Sequence, residues 1–192
     1  MVIDGRANPQ ALTAIGSVTT GRGSAADVAV SAGTLTILAN GEIVSLTAGR
    51  GNAGNVSLTA PGAVFIGGTS TVFHAGILSQ ATPAAAAMRA RFRPAPALWL
   101  SIVNAGQISA STIGSGAGGD VNAQIGGKLS INGAGSLLTT TGILATTFLP
   151  GAKNAGNRLG RGFVDRQQRG DRQRHTLRPE AHRKFDFPVS IS

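Results

Sequence analysis

Gly51-Asn-Ala-Gly-Asn-Val-Ser-Leu-Thr-Ala60 is the stretch on which the reading of this chain turns. It sets small residues first, then an Asn, then apolar and polar residues in alternation. Gly23-Ser-Ala-Ala-Asp-Val-Ala-Val-Ser-Ala32 and Ala117-Gly-Gly-Asp-Val-Asn-Ala-Gln-Ile125 repeat the plan, and Lys153-Asn-Ala-Gly-Asn157 begins it again. After each complete copy comes a second short apolar strand: Leu35-Thr-Ile37, Val64-Phe-Ile66 and Leu129-Ser-Ile131. Leu100-Ser-Ile102 supplies the missing one, so the starts at 35, 64, 100 and 129 are spaced 29, 36 and 29 residues. A third strand is expected to start at Ile43, Val72, Ile108 and Leu137, with the same spacing.

Strands this short cannot bury a face alone, but stacked coil upon coil they can. Inward Val, Ile and Leu then form columns with rungs about 4.8 Å apart. Gly and Asn are expected to supply positive φ at the corners, and outward Ser and Thr to make long neutral faces. An Asn at one recurring corner can stack its amides into a ladder. The fold expected is all-β, a parallel β-helix (a solenoid of repeats) over residues 1–157, with an irregular insert at about 83–98. Residues 158–192 read as a disordered basic tail. Sandwich strands are longer and need tighter hairpins.

Composition agrees. Of 192 residues 28 are Gly, only 4% are aromatic and 13% charged, and Cys and Tyr are absent. That excludes a disulfide-stapled fold and a cysteine metal site, and leaves little aromatic area for an ordinary core. No run approaches the ~18 apolar residues of a membrane-spanning helix. The net charge of +9 is localised. Nine of the 17 Lys and Arg lie in 158–192 and three more in 87–97, so the body is nearly neutral.

The repeat, with Asn40-Gly-Glu-Ile-Val-Ser45 and Asn104-Ala-Gly-Gln-Ile-Ser-Ala-Ser-Thr112, resembles repeats of filamentous-haemagglutinin-like exoproteins, the passengers of two-partner secretion in Gram-negative bacteria. Val2-Ile-Asp-Gly-Arg-Ala-Asn-Pro-Gln-Ala-Leu-Thr-Ala-Ile-Gly16 is similar to their inter-repeat segments. The likeness covers roughly residues 1–82 and 99–157. It implies a right-handed parallel β-helix, export through an outer-membrane transporter, and adhesion or display at the cell surface. It brings no catalytic residues. Met1-Val-Ile-Asp-Gly5 carries no basic or apolar export signal, so the chain reads as an internal fragment of a secreted, extracellular parent that supplies the transporter contact through a missing N-terminal region. The parent's partner is a host or neighbouring-cell surface.

The two basic segments read as repeat in a shifted frame. Gly-Asn-Ala-Gly encoded GGC AAT GCG GGC and read one nucleotide later gives Ala-Met-Arg-Ala, the sequence of residues 87–90. Phe92 then falls 36 residues after Val56, as the spacing asks. Arg89, Arg91 and Arg93 alternate like a strand face, but Pro94 and Pro96 argue against continued pairing. The rival reading is a genuine basic tail, with Arg166, Arg169, Arg172 and Arg174 neutralising the phosphates of nucleic acid or another anionic surface. Its aromatic interleaving is thin and no nucleic-acid motif precedes it, which makes nucleic acid the lesser partner.

Candidates for chemistry have plainer explanations. Asp27 and Asp120 stand where sister copies place Asn55 and Asn157, so they read as corner residues rather than metal ligands or acid–base groups. Gly116-Ala-Gly-Gly-Asp-Val121 echoes a calcium nonapeptide, but occurs once. Gly126-Gly-Lys-Leu129 lacks the Ser or Thr of a phosphate loop. His74 is the body's lone His, and Trp99 reads as sequence drift or a core filler. A polysaccharide-active β-helix needs clustered acids in one groove, and the body has four: Asp4, Asp27, Glu42 and Asp120. The chain is therefore read as non-catalytic, with no catalytic, cofactor-binding or metal residue and no cofactor. Without caps at its ends, the isolated chain is expected to fold poorly or self-associate.

Overall fold

The structure is a computed structural model of the protein and describes residues 1–8, 10–68, 74–81, 90–94, 99–113, 119–134, 140–147 and 158–165. Among these, the regular elements are all strands. In chain order they are β1 (Val2–Asp4), β2 (Thr13–Thr19), β3 (Val28–Ser31), β4 (Leu35–Leu38), β5 (Gly41–Thr47), β6 (Val56–Ala60) and β7 (Val64–Gly67). There follow β8 (Ala75–Ala81), β9 (Ala90–Pro94), β10 (Leu100–Val103), β11 (Gly106–Thr112), β12 (Val121–Asn132), β13 (Gly142–Thr147) and β14 (Arg158–Asp165).

Every pairing is parallel, and each strand pairs with the strand one coil away. The result is a β-solenoid of about four turns with three faces. Face one stacks β2, β5, β8, β11 and β13. Face two stacks β3, β6, β9 and the start of β12, where Val121–Ala123 pairs with Ala90–Phe92. Face three stacks β1, β4, β7, β10 and the end of β12, where Leu129–Asn132 pairs with Leu100–Val103. Faces two and three are one continuous sheet because β12 runs unbroken round the corner between them, and β14 follows it with a bulge opposite Gln124 to Lys128.

The core is a set of columns. Ile3, Ile37, Ile66, Ile102 and Ile131 are in register on face three, beside Leu35, Val64, Leu100 and Leu129. Ile15, Ile43, Ile77, Ile108 and Ile143 form the column of face one, and Val28 and Val56 start that of face two. Most of these side chains merge into one buried cluster. Branched side chains of one shape repeat at successive rungs, so each stacks in register on its own copy. Burying each contributes about 1.5–3 kcal/mol.

The second-strand starts at 35, 64, 100 and 129 are in register as the sequence predicts. The third-strand starts need correction. Ile43 pairs with Ile77, not with Val72, and Ile108 pairs with Ile143, not with Leu137. Corner length is the reason. Between β4 and β5 the corner is Ala39 and Asn40, and between β10 and β11 it is Asn104 and Ala105. The equivalent connections run over 68–74 and 133–141, and Val72 and Leu137 lie outside the described residues. The short corners use positive φ at Ala39 (53°), Asn104 (47°) and Ala105 (68°), so alanine does part of the work expected of Gly and Asn.

Residues 1–16 lie within the solenoid, as expected for 1–157: β1 and β2 belong to the first coil. Two further expectations change. Within the 83–98 insert, Ala90–Pro94 is strand β9, with Ala90 opposite Val56 and Phe92 opposite Leu58; the offset is thus 34 (90 − 56), not 36, and pairing reaches Pro94. The rest of the insert lies outside the described residues. The tail also begins as structure, because Arg158–Asp165 adds to β12 as β14, whereas residues 166–192 lie outside the described residues. The free edge of β12 offers the backbone groups, and Leu159, Phe163 and Val164 give the segment strand character.

Candidate functional site

Serine does not keep to the outside. Ser17, Ser45 and Ser79 share the inward parity of Ile15, Ile43 and Ile77, two residues further along each strand. Ser45 Oγ accepts from Gly54 N at 2.8 Å and donates to Ala26 O at 3.1 Å. Ser17 Oγ accepts from Ala26 N at 2.9 Å, and Ser79 Oγ donates to Gly54 O at 3.0 Å. Each hydroxyl thus ties its strand to the backbone of the corner before face two. These corners pack so closely that a Cβ on Gly54 would stand 2.2 Å from Ala26 O. Buried backbone groups need partners, and an inward serine supplies them where an aliphatic side chain would strand them.

The outside of face one is also unlike the neutral face expected. Val44 and Leu78 have the opposite parity to Ile43 and Ile77, yet they are only 2% and 1% exposed. Ser109, in register with them, is buried as well. Outward Ala29, Ser31, Thr59 and Gln124 on face two are exposed. The open small-polar surface therefore lies on face two, not face one.

Where faces three and one meet, the same parity brings a carboxyl group into a buried setting. Glu42 is the second residue of β5 and is 6% exposed. Its register neighbours are Ala14 and Gly76, and beyond Gly76 comes Gln107, so no charged residue flanks it within the column. Loss of hydration pushes its pKa up to about 8, so Glu42 is protonated and neutral at pH 7. Asn40, two residues earlier, is fully buried; its Nδ2 donates to Asn8 O at 3.3 Å and Ala11 O at 3.4 Å, and its Oδ1 has no partner among the described residues. His74 directly precedes β8 as Asn40 directly precedes β5. It is half-buried, and loss of hydration holds its pKa below the ordinary 6.5, so it too is neutral. Gln107 is buried and its Nε2 donates to Thr140 O at 2.7 Å. This corner collects uncharged polar groups.

The other acids are dispersed. Asp27 accepts from Asn55 N at 2.7 Å and from Asn55 Nδ2 at 3.0 and 3.1 Å. Those bonds, side chain first and backbone second, hold its carboxyl below the ordinary 3.8. The corner reading of Asp27 is thereby met as a hydrogen-bonded Asp–Asn step. Asp120 directly precedes β12, three coils on, in the matching corner. Asp4 pairs with Arg6 at the first coil, where that side chain lowers its pKa. Among the described residues no three His, Cys, Asp or Glu side chains gather where they could hold a metal ion.

Gly126, Gly127 and Lys128 lie inside β12, so the backbone there is strand rather than a phosphate-cradling loop. Trp99 is exposed and no core filler, and Lys128 Nζ lies 5.8 Å from its ring centroid. The two residues precede the paired Leu100 and Leu129, so the cation rests on the ring across adjacent coils. Residues 116–118 of the calcium-like stretch, and Asn157, lie outside the described residues. Glu42 and Asn40 were not singled out by the sequence. Glu42 stands at an outward strand position, where a carboxylate ordinarily meets water, and nothing local marks that position as buried. No helix among the described residues is long and apolar enough to cross a membrane. Comparison with protein-family models, with curated proteins and with solved structures matched nothing to this chain.

Proposed function

We propose that this chain is a structural and adhesive stalk segment of a large secreted bacterial surface exoprotein, of the filamentous-haemagglutinin-like kind its repeats resemble, and that it is non-catalytic. The observation that supports this reading is the register-true stacking of coil on coil over three faces, with the same inner columns in every rung. A solenoid of this kind gains length by adding coils and offers the same outward positions at every rung. Small polar side chains on face two, such as Ser31, Thr59 and Gln124, give a broad and weak contact. Adhesion then comes from many such contacts at once, so density rather than one pocket sets the strength.

The test displays the chain on beads at graded density and compares bead adhesion to epithelial or bacterial cells with binding of the soluble chain. Steep dependence on density, with negligible binding of the free chain, is expected. Saturable binding of the soluble chain, equal in strength to that of the densest beads, would overturn the stalk reading. Truncation after Asp165 belongs to the same experiment. Loss of binding on truncation, together with salt-sensitive DNA binding by the full chain, would favour the nucleic-acid reading instead.

A further inference from the structure

Strand β2 shows water what the coils above it bury. Residues 10–28, which hold β2 and its flanks on both sides, are all described, and among the described residues β5 is its only neighbour in the sheet. Its inward Ile15 is 41% exposed, whereas Ile43, next in the same column, is 0% exposed. Leu12 and Val18 beside it are 40% and 58% exposed. Edge strands are ordinarily blunted by Lys, Pro, a bulge or an inward charge. Thr-Ala-Ile-Gly-Ser-Val-Thr has no charge and no Pro, and it pairs with β5 without a register shift.

The backbone of β2 fixes what can add to it. Thr13 N donates to Asn40 O at 3.2 Å, and Thr19 O accepts from Ala48 N at 2.8 Å. Sides alternate along a parallel ladder, so Thr13, Ile15, Ser17 and Thr19 turn their peptide groups toward β5. Ala14, Gly16 and Val18 turn theirs the other way, where they meet no partner among the described residues. These three positions are symmetric about Gly16. Gly is needed there by the strand it already pairs with, since a Cβ would stand 2.4 Å from Val44 O.

We propose that two copies of the chain pair through β2, edge to edge and antiparallel, about a two-fold axis that passes between their Gly16 residues. Identical edges that face one another in one sheet are related by a two-fold, and that two-fold reverses the strand direction. Gly16 then stands opposite the partner's Gly16, and Ala14 opposite the partner's Val18. Residues opposed in this setting exchange both N–H···O bonds, so every free position finds its partner. Counting out from Gly16 puts Ile15 opposite the partner's Ser17 and diagonal to the partner's Ile15, so inward side chains meet inward ones and the face-one column runs on into the second copy. On the outer side the large Val18 lies against the small Ala14, and Gly16 adds no bulk at the centre. The strand is its own complement, which makes a second copy the occupant that satisfies each open group. Because one strand serves both sides, the contact closes at two copies. It rests on β2 alone and is independent of what the faces bind.

The chain has no Cys, so introduced thiols report without background. Ala14→Cys and Val18→Cys, both at exposed positions, are mixed, oxidised and run on a non-reducing gel beside each variant alone. In the proposed register the two thiols stand on Cα atoms about 5.5 Å apart, inside the roughly 4.4–6.8 Å that a disulfide spans, whereas like positions are roughly 13 Å apart. Disulfide dimers from the mixture only are expected, and the wild type, sedimented from about 1 to about 100 µM, should pass from monomer to dimer and no further. Equal dimer yield from either variant alone would overturn the proposal, as would a monomeric wild type across the range or growth beyond the dimer. Val18→Pro removes an N–H that faces away from β5, so it is expected to keep the β-sheet circular dichroism and return the chain to monomer. Val18→Lys, a charge at the same exposed position, is expected to weaken the dimer about tenfold and decides the matter should the Pro variant lose its β signal. Dimerisation of a folded variant at wild-type strength would overturn the proposal.

Discussion

Replacing Glu42 with Gln isolates the energetic cost of one buried carboxyl group. The Glu42 pKa of about 8 against the ordinary 4.5 means the folded chain holds this proton more tightly than the unfolded chain. The Glu42 contribution to stability is therefore greatest below pH 4.5, falls as the unfolded state ionises, and levels off above about 8. Gln is near the shape of the protonated acid and does not titrate, so the variant escapes the loss. At about 1.4 kcal/mol per pKa unit, Glu42→Gln is worth about 1 kcal/mol at pH 5, about 3 kcal/mol at pH 7 and about 5 kcal/mol at pH 9. For a chain of this size the pH 7 difference raises the melting temperature by roughly 10 °C. His74 contributes the opposite slope, since its lowered pKa makes stability rise as pH approaches 6.5. The difference between wild type and variant cancels that term. Far-ultraviolet circular dichroism melts at pH 5, 7 and 9 read the result. A gap that stays constant with pH, or a variant less stable than wild type at pH 9, would refute the buried-acid reasoning.

Ser45→Ala leaves Gly54 N and Ala26 O without their shared hydroxyl and is expected to cost about 2–3 kcal/mol in urea denaturation. Ile77→Ala opens a cavity in the face-one column and should cost about 2–5 kcal/mol, while Ile15→Ala, at the open end of that column, should cost about half as much or less; equal losses would contradict the stacking. Asp27→Ala frees Asn55 from three hydrogen bonds at an exposed corner, for about 1 kcal/mol at pH 7. Because the Asp27 pKa is lowered, that stabilisation is present above pH 3.8 and vanishes as acid titrates the folded carboxylate, which acid melts of the two proteins reveal.

The second-strand markers Leu35, Val64, Leu100 and Leu129 were legible because identical columns demand identical residues at each rung. The third-strand markers were misplaced at Val72 and Leu137 because a corner is free to lengthen without disturbing the columns on either side, so spacing alone cannot count through it. In β9, Arg91, Arg93 and Pro94 masked a strand whose position is set by the edges of β6 and β12 rather than by its own propensity. Asp27 was read correctly as a corner residue, since its partner Asn55 lies in the sister copy of the same motif. Glu42 is illegible in the sequence for a tertiary reason. Alternation assigns it to water, and only the burial of Val44 and Leu78 beside it shows that this outer surface is closed.

The parallel ladders carry a mechanical consequence. Covalent chain runs around each coil, and only hydrogen bonds and side-chain packing run along the axis. Tension along that axis opens the ladders, and coils peel away singly from an end. One coil, such as Val28 to Val56, adds about 4.8 Å to the folded rod but yields about 100 Å of chain once unwound. A rod built this way extends some twentyfold per coil before its backbone is pulled taut, and so yields in steps under a tug instead of snapping free.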